Sequence, residues 1–140
     1  MQARDGAAWL TRFSQATAIP EASVRIVEAE ASVIREHEGK ASAKGELIEA
    51  ANLTFASAAR IWDSTVARCG GEALQCWMVN NPHFTFVIDA AALSGRLRAL
   101  LDFDGDTVGM SALDRSKALY VDMYEERGTV TYEVHQWGNW

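Results

Sequence analysis

An apolar residue recurs every three or four positions through much of the first half of the chain, which is the spacing of amphipathic helices. A first helix is predicted over residues 6–17, with Asp5 as its capping residue. A second is predicted over residues 21–37, because Pro20 suits the first turn of a helix. Residues 39–45, GKASAKG, are then predicted to form a small-residue linker. The apolar positions are Ala8, Trp9, Leu10 and Phe13 in the first helix and Val24, Val27, Ala31 and Ile34 in the second.

The segment that follows the linker allows two interpretations. An apolar stripe that ends before Gly70-Gly71, a strong helix stop, predicts one continuous helix. The alternative makes Leu47–Phe55 a strand and begins the helix at a Ser57 cap. We prefer the continuous helix. Its stripe consists of Leu47, Ala51, Phe55, Ala58, Trp62, Val66 and Cys69.

After the two glycines, the spacing of apolar residues changes to two, which is typical of β-strands. Ala73–Val79 and Phe84–Asp89 are rich in aromatic and β-branched residues and are separated by the turn sequence NNPH, so they predict a hairpin. Ala118–Glu125 and Thr129–Trp137 predict a second hairpin that turns at Arg127-Gly128.

The region between the two hairpins is predicted to be mostly helix and loop. A basic helix is expected over Ala91–Leu101, followed by the polar loop DFDGDT and a short helical turn near Ser111–Lys117. The sequence therefore predicts a single α+β domain over residues 1–140. Its helical N-terminal half would pack on a mainly antiparallel sheet of two C-terminal β-hairpins.

The charge of the chain is concentrated in its second half. Residues 1–69 hold nine acids and eight bases, whereas residues 70–140 hold ten acids and five bases. An acidic field repels nucleic-acid phosphates and attracts basic proteins. We therefore expect a basic protein partner and no nucleic-acid partner.

No segment has the pattern of a membrane span or a secretory signal. No apolar run approaches the roughly 20 residues that cross a bilayer, and the first ten residues lack the apolar region of a signal peptide. The two cysteines, Cys69 and Cys76, have no companion Cys or His at ligand spacing and predict no zinc site. We expect them to be reduced thiols of a cytoplasmic protein that has no membrane partner, and a disulfide is the alternative.

Residues 102–107, DFDGDT, are close to two known patterns and fit neither. The Asp-x-Asp-Gly-Thr motif of haloacid-dehalogenase-type phosphatases is interrupted by Asp106, and only 38 residues follow Asp102. An EF-hand calcium loop needs its glycine two positions later and a Glu where Leu113 stands. A turn rich in Asp and Gly accounts for the same residues. Because the chain also lacks a nucleophile elbow and a phosphate-binding loop, we predict no catalytic residue, no metal and no cofactor.

The loop at Arg127-Gly128 also predicts the register of the second hairpin. This register sets Asp122 directly opposite Glu133 and sets Tyr120 opposite His135. One face of the hairpin then holds Leu119, Val121, Met123, Val130, Tyr132 and Val134. The other face holds Tyr120, Asp122, Tyr124, Glu126, Thr129, Thr131, Glu133, His135 and Trp137.

The polar face is unusual because like charges opposite one another in a strand pair are destabilising. Two carboxylates framed by Tyr, His and Trp suit three tasks: pairing with Arg or Lys of a protein, holding a metal with His135, or acid–base chemistry. We favour the first, since Trp and Tyr are common interface anchors and acidic surroundings attract a basic partner. The predicted partner-binding residues are Tyr120, Asp122, Tyr124, Glu126, Glu133, His135 and Trp137.

The leading hypothesis is a protein-binding or inhibitor module that docks on a basic protein such as a toxin or nuclease. Bacterial immunity proteins, which cover the basic nucleic-acid site of a toxic nuclease, have the same physics, and the analogy is one of charge and size. The alternative is a small enzyme or ligand-binding domain that uses Asp122, Glu133 and His135. A third interpretation is an ordinary solvated antiparallel face. A deep pocket at these residues would favour the alternative, and a flat exposed face would favour docking.

Overall fold

A computed structural model provides the fold of most of the chain. The described residues are 3–28, 48–81, 84–114, 116–138 and 140. The helices and strands are α1 (Ala3–Thr17), β1 (Val24–Glu28), β2 (Ile48–Leu53), α2 (Phe55–Cys69), β3 (Ala73–Met78), β4 (Phe84–Asp89), α3 (Leu97–Asp104), β5 (Thr107–Ala112), β6 (Ala118–Glu126) and β7 (Thr129–Trp137). Short 3-10 helices cover Glu21–Ser23 and Ala90–Leu93.

The seven strands of the described residues form one antiparallel sheet in the order β1-β4-β3-β5-β6-β7-β2. Both predicted hairpins are present, β3–β4 and β6–β7, and β5 joins them at the centre of the sheet. The two edge strands, β1 and β2, come from the first half of the chain. The predicted α+β class is therefore confirmed, with a sheet that is wider than two hairpins.

The first two predicted helices have different outcomes. The helix over residues 6–17 is confirmed as α1, although it begins at Ala3, so that Asp5 lies within it. The helix over residues 21–37 is wrong in its described part, because the chain forms β1 from Val24 onwards. Strand β1 pairs with β4 along its length, and this long-range pairing outweighs a local helical spacing. Residues 29–37 and the predicted linker lie outside the described residues.

The preferred continuous helix ending at Cys69 is also wrong, and the alternative interpretation is closer to the structure. Strand β2 ends at Leu53 and α2 begins at Phe55. Thr54 caps the helix, because its Oγ1 accepts a hydrogen bond from the backbone N–H of Ser57 at 3.2 Å. The predicted stop is correct, since Gly70 follows the last helical residue with a φ of 58°.

The predictions between the hairpins need three corrections. The helix predicted over Ala91–Leu101 is interrupted at Gly95, whose φ is 71°, and α3 runs on to Asp104 into the predicted loop. Gly105 ends α3 in the left-handed conformation. The helical turn near Ser111–Lys117 is wrong, because β5 extends to Ala112. All six residues of β5 are buried at the sheet centre, and such strands lack the alternation that identifies a strand in a sequence.

The helices pack on one face of the sheet, which we call the inner face; we call the opposite face the outer face. The core cluster joins helix and strand residues. Its members include Trp9, Phe13, Trp62, Leu97 and Leu100 from the helices and Leu74, Phe86, Met110, Leu119 and Val121 from the strands. Cys69 and Cys76 are free, buried thiols of this core. Among the described residues, none of the helices has the length and apolar character required to cross a membrane.

Candidate functional site

The predicted register of the β6–β7 hairpin is confirmed. Asp122 lies opposite Glu133, and Tyr120 lies opposite His135. Because Val121 and its alternate neighbours are buried on the inner face, these four residues project from the outer face. Strand β5 adds Thr107, which pairs with Asp122 across the next ladder.

A network of close polar contacts joins five side chains on the outer face. His135 Nε2 lies 3.0 Å from Glu133 Oε1 and 3.4 Å from Asp122 Oδ2. Thr107 Oγ1 donates a hydrogen bond to Asp122 Oδ1 at 2.5 Å, and the Tyr124 hydroxyl donates to Asp122 Oδ2 at 3.4 Å. We call these five residues the outer-face cluster. The imidazole Nε2 therefore lies within reach of both members of the like-charged pair.

Aromatic rings adjoin the cluster on the side of the sheet centre. Tyr120 stacks on His135 with ring centroids 4.4 Å apart and meets Trp137 edge-on at 6.3 Å. Trp77 and Trp137 belong to a second buried apolar cluster on this face. The indole of Trp77 lies across Gly109, where any side chain would collide with the ring. Because Gly109 pairs with both Trp77 and Tyr120, its missing side chain lets the indole approach the tyrosine.

The predicted partner-binding residues differ widely in exposure. Trp137 is 1% exposed and His135 is also buried, whereas Tyr124 is 48% exposed. The exposure of these side chains therefore increases along the hairpin, from the end of β7 at Trp137 towards the turn at Arg127-Gly128. Tyr120, Asp122 and Glu133 are half-buried, and Tyr124 and Glu126 are exposed.

The end of the hairpin projects beyond both neighbouring strands. The pairing of β5 with β6 ends at Asp122, and β2 pairs with β7 only from Tyr132 onwards. The backbone N–H of Met123 still donates to the Asp106 carbonyl at 2.9 Å. In the described part of the chain, residues 124–131 are thus a two-stranded ribbon whose strands pair only with each other, and we call them the tip ribbon. Val130, predicted on the apolar face, is 42% exposed because the ribbon extends past the core.

Two recesses flank the outer-face cluster. The first has a volume of about 90 Å³, and we call it the aromatic recess; it is lined by Trp77, Val79, Thr107, Tyr120 and Asp122. The second has a volume of about 270 Å³, and we call it the acidic recess; it is lined by Asn52, Tyr124, Glu125, Glu126, Thr131 and Glu133. Both are smaller than the roughly 300–1,000 Å³ of sites for drug-sized ligands. The outer face is therefore neither a deep pocket nor a flat surface.

The electrostatic field of the cluster affects the exposed tyrosine. Burial raises the pKa of the Tyr124 hydroxyl above its ordinary value, and the negative charges of Asp122 and Glu133 raise this pKa further. A raised tyrosine pKa means that the neutral hydroxyl is favoured over the anion. The negative charges of Asp122 and Glu133 thus act on Tyr124 in addition to its burial.

The Asp-rich segment beside the cluster has a structural role. The buried carboxylate of Asp104 accepts three hydrogen bonds: from the Asn80 backbone N–H at 3.0 Å, from Asn81 Nδ2 at 2.8 Å and from the Thr107 backbone N–H at 2.9 Å. These bonds join the turn after β3 to the start of β5. In the described part of the chain, no group of three His, Cys, Asp or Glu side chains is placed to hold a metal ion.

Thr107 and Trp77 line the site but are not among the predicted partner-binding residues. Thr107 belongs to the predicted loop DFDGDT, but in the structure it begins β5. Trp77 lies between Cys76 and Met78 of the core, so strand alternation places it on the outer face. No family model, curated protein or solved structure matches this chain.

Proposed function

We propose that this protein is a binding module that docks on a basic protein through the tip ribbon and the acidic recess. The observation that supports it is the chemistry of the projecting ribbon. Tyr124 and Glu126 are exposed on one side of the ribbon, and Glu125 and Val130 are exposed on its other side. Acidic groups around an aromatic and an aliphatic anchor are a favourable combination for recognising a basic surface.

The carboxylates of the ribbon are available to a partner. Within the described ranges, no Lys or Arg forms an ion pair with Glu125 or Glu126. Exposed charges of this kind mainly increase the association rate and make binding sensitive to salt. The affinity is therefore expected to fall as the salt concentration rises.

The buried residues of the hairpin have a supporting role in this proposal. His135 stacks on Tyr120 and Trp137 meets it edge-on, and these contacts support the tyrosine ring. The contacts with the partner come from Tyr124, Glu125, Glu126 and Glu133. In the immunity-like form of the hypothesis, the partner is a toxin or nuclease whose basic site the ribbon covers. We further propose a cytoplasmic location, which the free thiols of the core support.

Charge reversal on the ribbon tests this function. The variant Glu125→Lys/Glu126→Lys is compared with wild type and with Asp89→Lys/Asp102→Lys, which changes the same number of exposed charges away from the hairpin. Each protein is immobilised and exposed to lysate of the native cell at low salt, and the captured protein is then purified. Wild type and control should bind the same basic protein, and the ribbon variant should bind it at least about tenfold more weakly. Equal affinity for the ribbon variant, or an affinity independent of salt, would reject the proposal.

A second candidate function is supported by the position of His135. Its Nε2 lies within 3.4 Å of carboxylate oxygens of both Asp122 and Glu133, an arrangement that suits proton transfer to a small ligand. The variant His135→Gln separates the two functions, because it removes the imidazole but leaves Glu125 and Glu126 in place. Docking predicts that this variant still captures the partner. Loss of capture would indicate that the cluster itself is the functional centre.

A further inference from the structure

We propose that the aromatic recess receives the guanidinium group of one arginine side chain. This inference rests on the proposed docking function and specifies a residue that the basic partner presents. The recess lies between Trp77 and Tyr120, with Asp122 and Thr107 on its wall. It therefore combines two aromatic rings with a carboxylate in one small cavity.

The size of the recess suits a side-chain head group. Its volume of about 90 Å³ corresponds to roughly three water molecules, each of which occupies about 30 Å³ in the liquid. A planar guanidinium group fits such a space, whereas a metabolite with several rings does not. The ligand is thus expected to be the end of a longer chain whose remainder lies on the surface.

The two aromatic walls are held in place before any ligand binds. Tyr120 stacks on His135 with an interplanar angle of 13°, so one face of its ring is already covered by the imidazole. Trp77 is 2% exposed and lies across Gly109. A cation over an aromatic ring gains electrostatic attraction, and guanidinium groups also stack on such rings. Because the rings do not have to be ordered on binding, more of this attraction is retained as affinity.

Asp122 has hydrogen-bonding capacity left for an arginine. Its Oδ1 accepts from Thr107 Oγ1, while its Oδ2 has two longer contacts at 3.4 Å, with the Tyr124 hydroxyl and His135 Nε2. An ionised carboxylate offers about four lone-pair positions. Since the Asp122 side chain is 17% exposed, a guanidinium can reach it and form charge-assisted bonds in a partly desolvated site.

The charge of the cluster favours a cation over a neutral ligand. Two carboxylates, Asp122 and Glu133, share the single imidazole of His135, so the cluster is negative whether or not the imidazole is protonated. The raised pKa of Tyr124 agrees with this sign. Arginine suits the site better than lysine, because its planar fork can stack on a ring and pair with a carboxylate at the same time.

Nuclear magnetic resonance with a matched pair of ligands tests the inference. Nα-acetylarginine amide is titrated into the ¹⁵N-labelled protein, and Nα-acetylcitrulline amide, its neutral isostere, serves as the control. The indole N–H resonance of Trp77 is assigned with Trp77→Phe. The arginine compound should cause saturable shifts at this indole and at the amides of Thr107 and Tyr120. The citrulline compound should cause none.

A carboxylate variant supplies the second comparison. Asp122→Asn keeps the shape of the side chain, and it should weaken arginine binding at least about fivefold through the loss of the charge-assisted bond. Asp102→Asn, which changes an exposed carboxylate on α3, should leave it unchanged. Equal shifts with citrulline, or undiminished binding by Asp122→Asn, would overturn the inference.

The outcomes for the recess and for the docking function are distinguishable. If partner capture depends on Glu125 and Glu126 but the aromatic recess does not bind the arginine compound, the docking function is kept and the arginine site is rejected. If the aromatic recess binds the arginine compound specifically but partner capture does not depend on Glu125 and Glu126, the arginine site is kept and docking through the ribbon is rejected.

Discussion

The inner and outer faces of the sheet are both largely buried at its centre, yet different side chains build them. The inner face is lined by aliphatic and aromatic residues and covered by three helices of the described chain. The outer face places Thr107 and His135 beside Trp77 and Trp137, next to two carboxylates. Charged groups are expensive to bury unless they are paired, so they contribute less to stability than apolar groups of similar size. The inner face is therefore the source of stability and the outer face is the candidate for function.

The same comparison applies within one strand. Along β6, Leu119 and Val121 are fully buried on the inner face, while Tyr120 and Asp122, which alternate with them, are half-buried on the outer face. Because successive side chains of a strand point to opposite faces, the apolar residues of the inner face alternate along the chain with the polar residues of the outer face. A substitution can thus change one face and leave the backbone that both faces share in place, which makes the comparison open to experiment.

The largest expected loss of stability comes from a substitution on the inner face. Trp62 is 0% exposed, and its Nε1 donates a hydrogen bond to the Leu93 carbonyl at 3.0 Å. Trp62→Ala should lower the free energy of unfolding by about 3–5 kcal/mol, because it leaves a cavity and an unpaired carbonyl. Urea denaturation measures this loss. Val130→Ala on the tip ribbon should change stability by less than about 0.5 kcal/mol, and equal losses for the two variants would contradict the comparison.

A somewhat smaller loss of stability is expected for a substitution at the end of α3, where the helical layer joins the site. The carboxylate of Asp104, at the end of α3, accepts hydrogen bonds from Asn80, Asn81 and Thr107. Asp104→Ala leaves these donors unpaired and should lower stability by about 2–4 kcal/mol. Asp102→Ala, an exposed position on the same helix, is the matched control and should be nearly neutral. Thermal unfolding of both variants decides whether the Asp-rich segment is structural.

Local rules account for the parts of the fold that the sequence predicted correctly. Arg127-Gly128 forms a two-residue turn with positive φ at both positions, and this turn sets the register of the β6–β7 hairpin. β1 is different, because its apolar residues suit either a helix or a strand. Val24 and Val27 have helical spacing, whereas Val24 and Ile26 alternate toward the core. Pairing with β4, about 60 positions later in the chain, decides between them, and no local pattern contains that information.

The candidate site divides in the same way. The opposition of Asp122 to Glu133 follows from one hairpin and was predictable. Thr107 and Trp77 come from β5 and β3, and they join the site only through the strand order of the whole sheet. Exposure is likewise a property of the assembled molecule. Nothing in the alternation of β7 shows that Trp137, which we expected to bind a partner, is only 1% exposed.

A substitution at Gly109 changes the outer face alone. A methyl group there would collide with the indole of Trp77, so Gly109→Ala should lower stability by about 1–3 kcal/mol through overpacking. It should also abolish the shifts that the arginine compound causes in the aromatic recess. Gly71→Ala is the control, because the added carbon meets no atom within 4 Å. If Gly109→Ala still binds the arginine compound, binding does not depend on the position of Trp77.

The smallest expected effect is electrostatic and lies at the exposed end of the cluster. Asp122→Asn should lower the pKa of Tyr124 toward its ordinary value without reaching it, because burial is the largest cause of the elevation and remains. NMR of ¹³C-labelled tyrosine rings follows this titration, with Asp102→Asn as the control. Since a raised folded-state pKa destabilises the fold as pH rises past the ordinary tyrosine pKa of about 10, the variant should also lose slightly less stability at alkaline pH. An unchanged pKa would mean that the carboxylate does not act on its exposed neighbour, and the outer face would then differ from the inner face in packing alone.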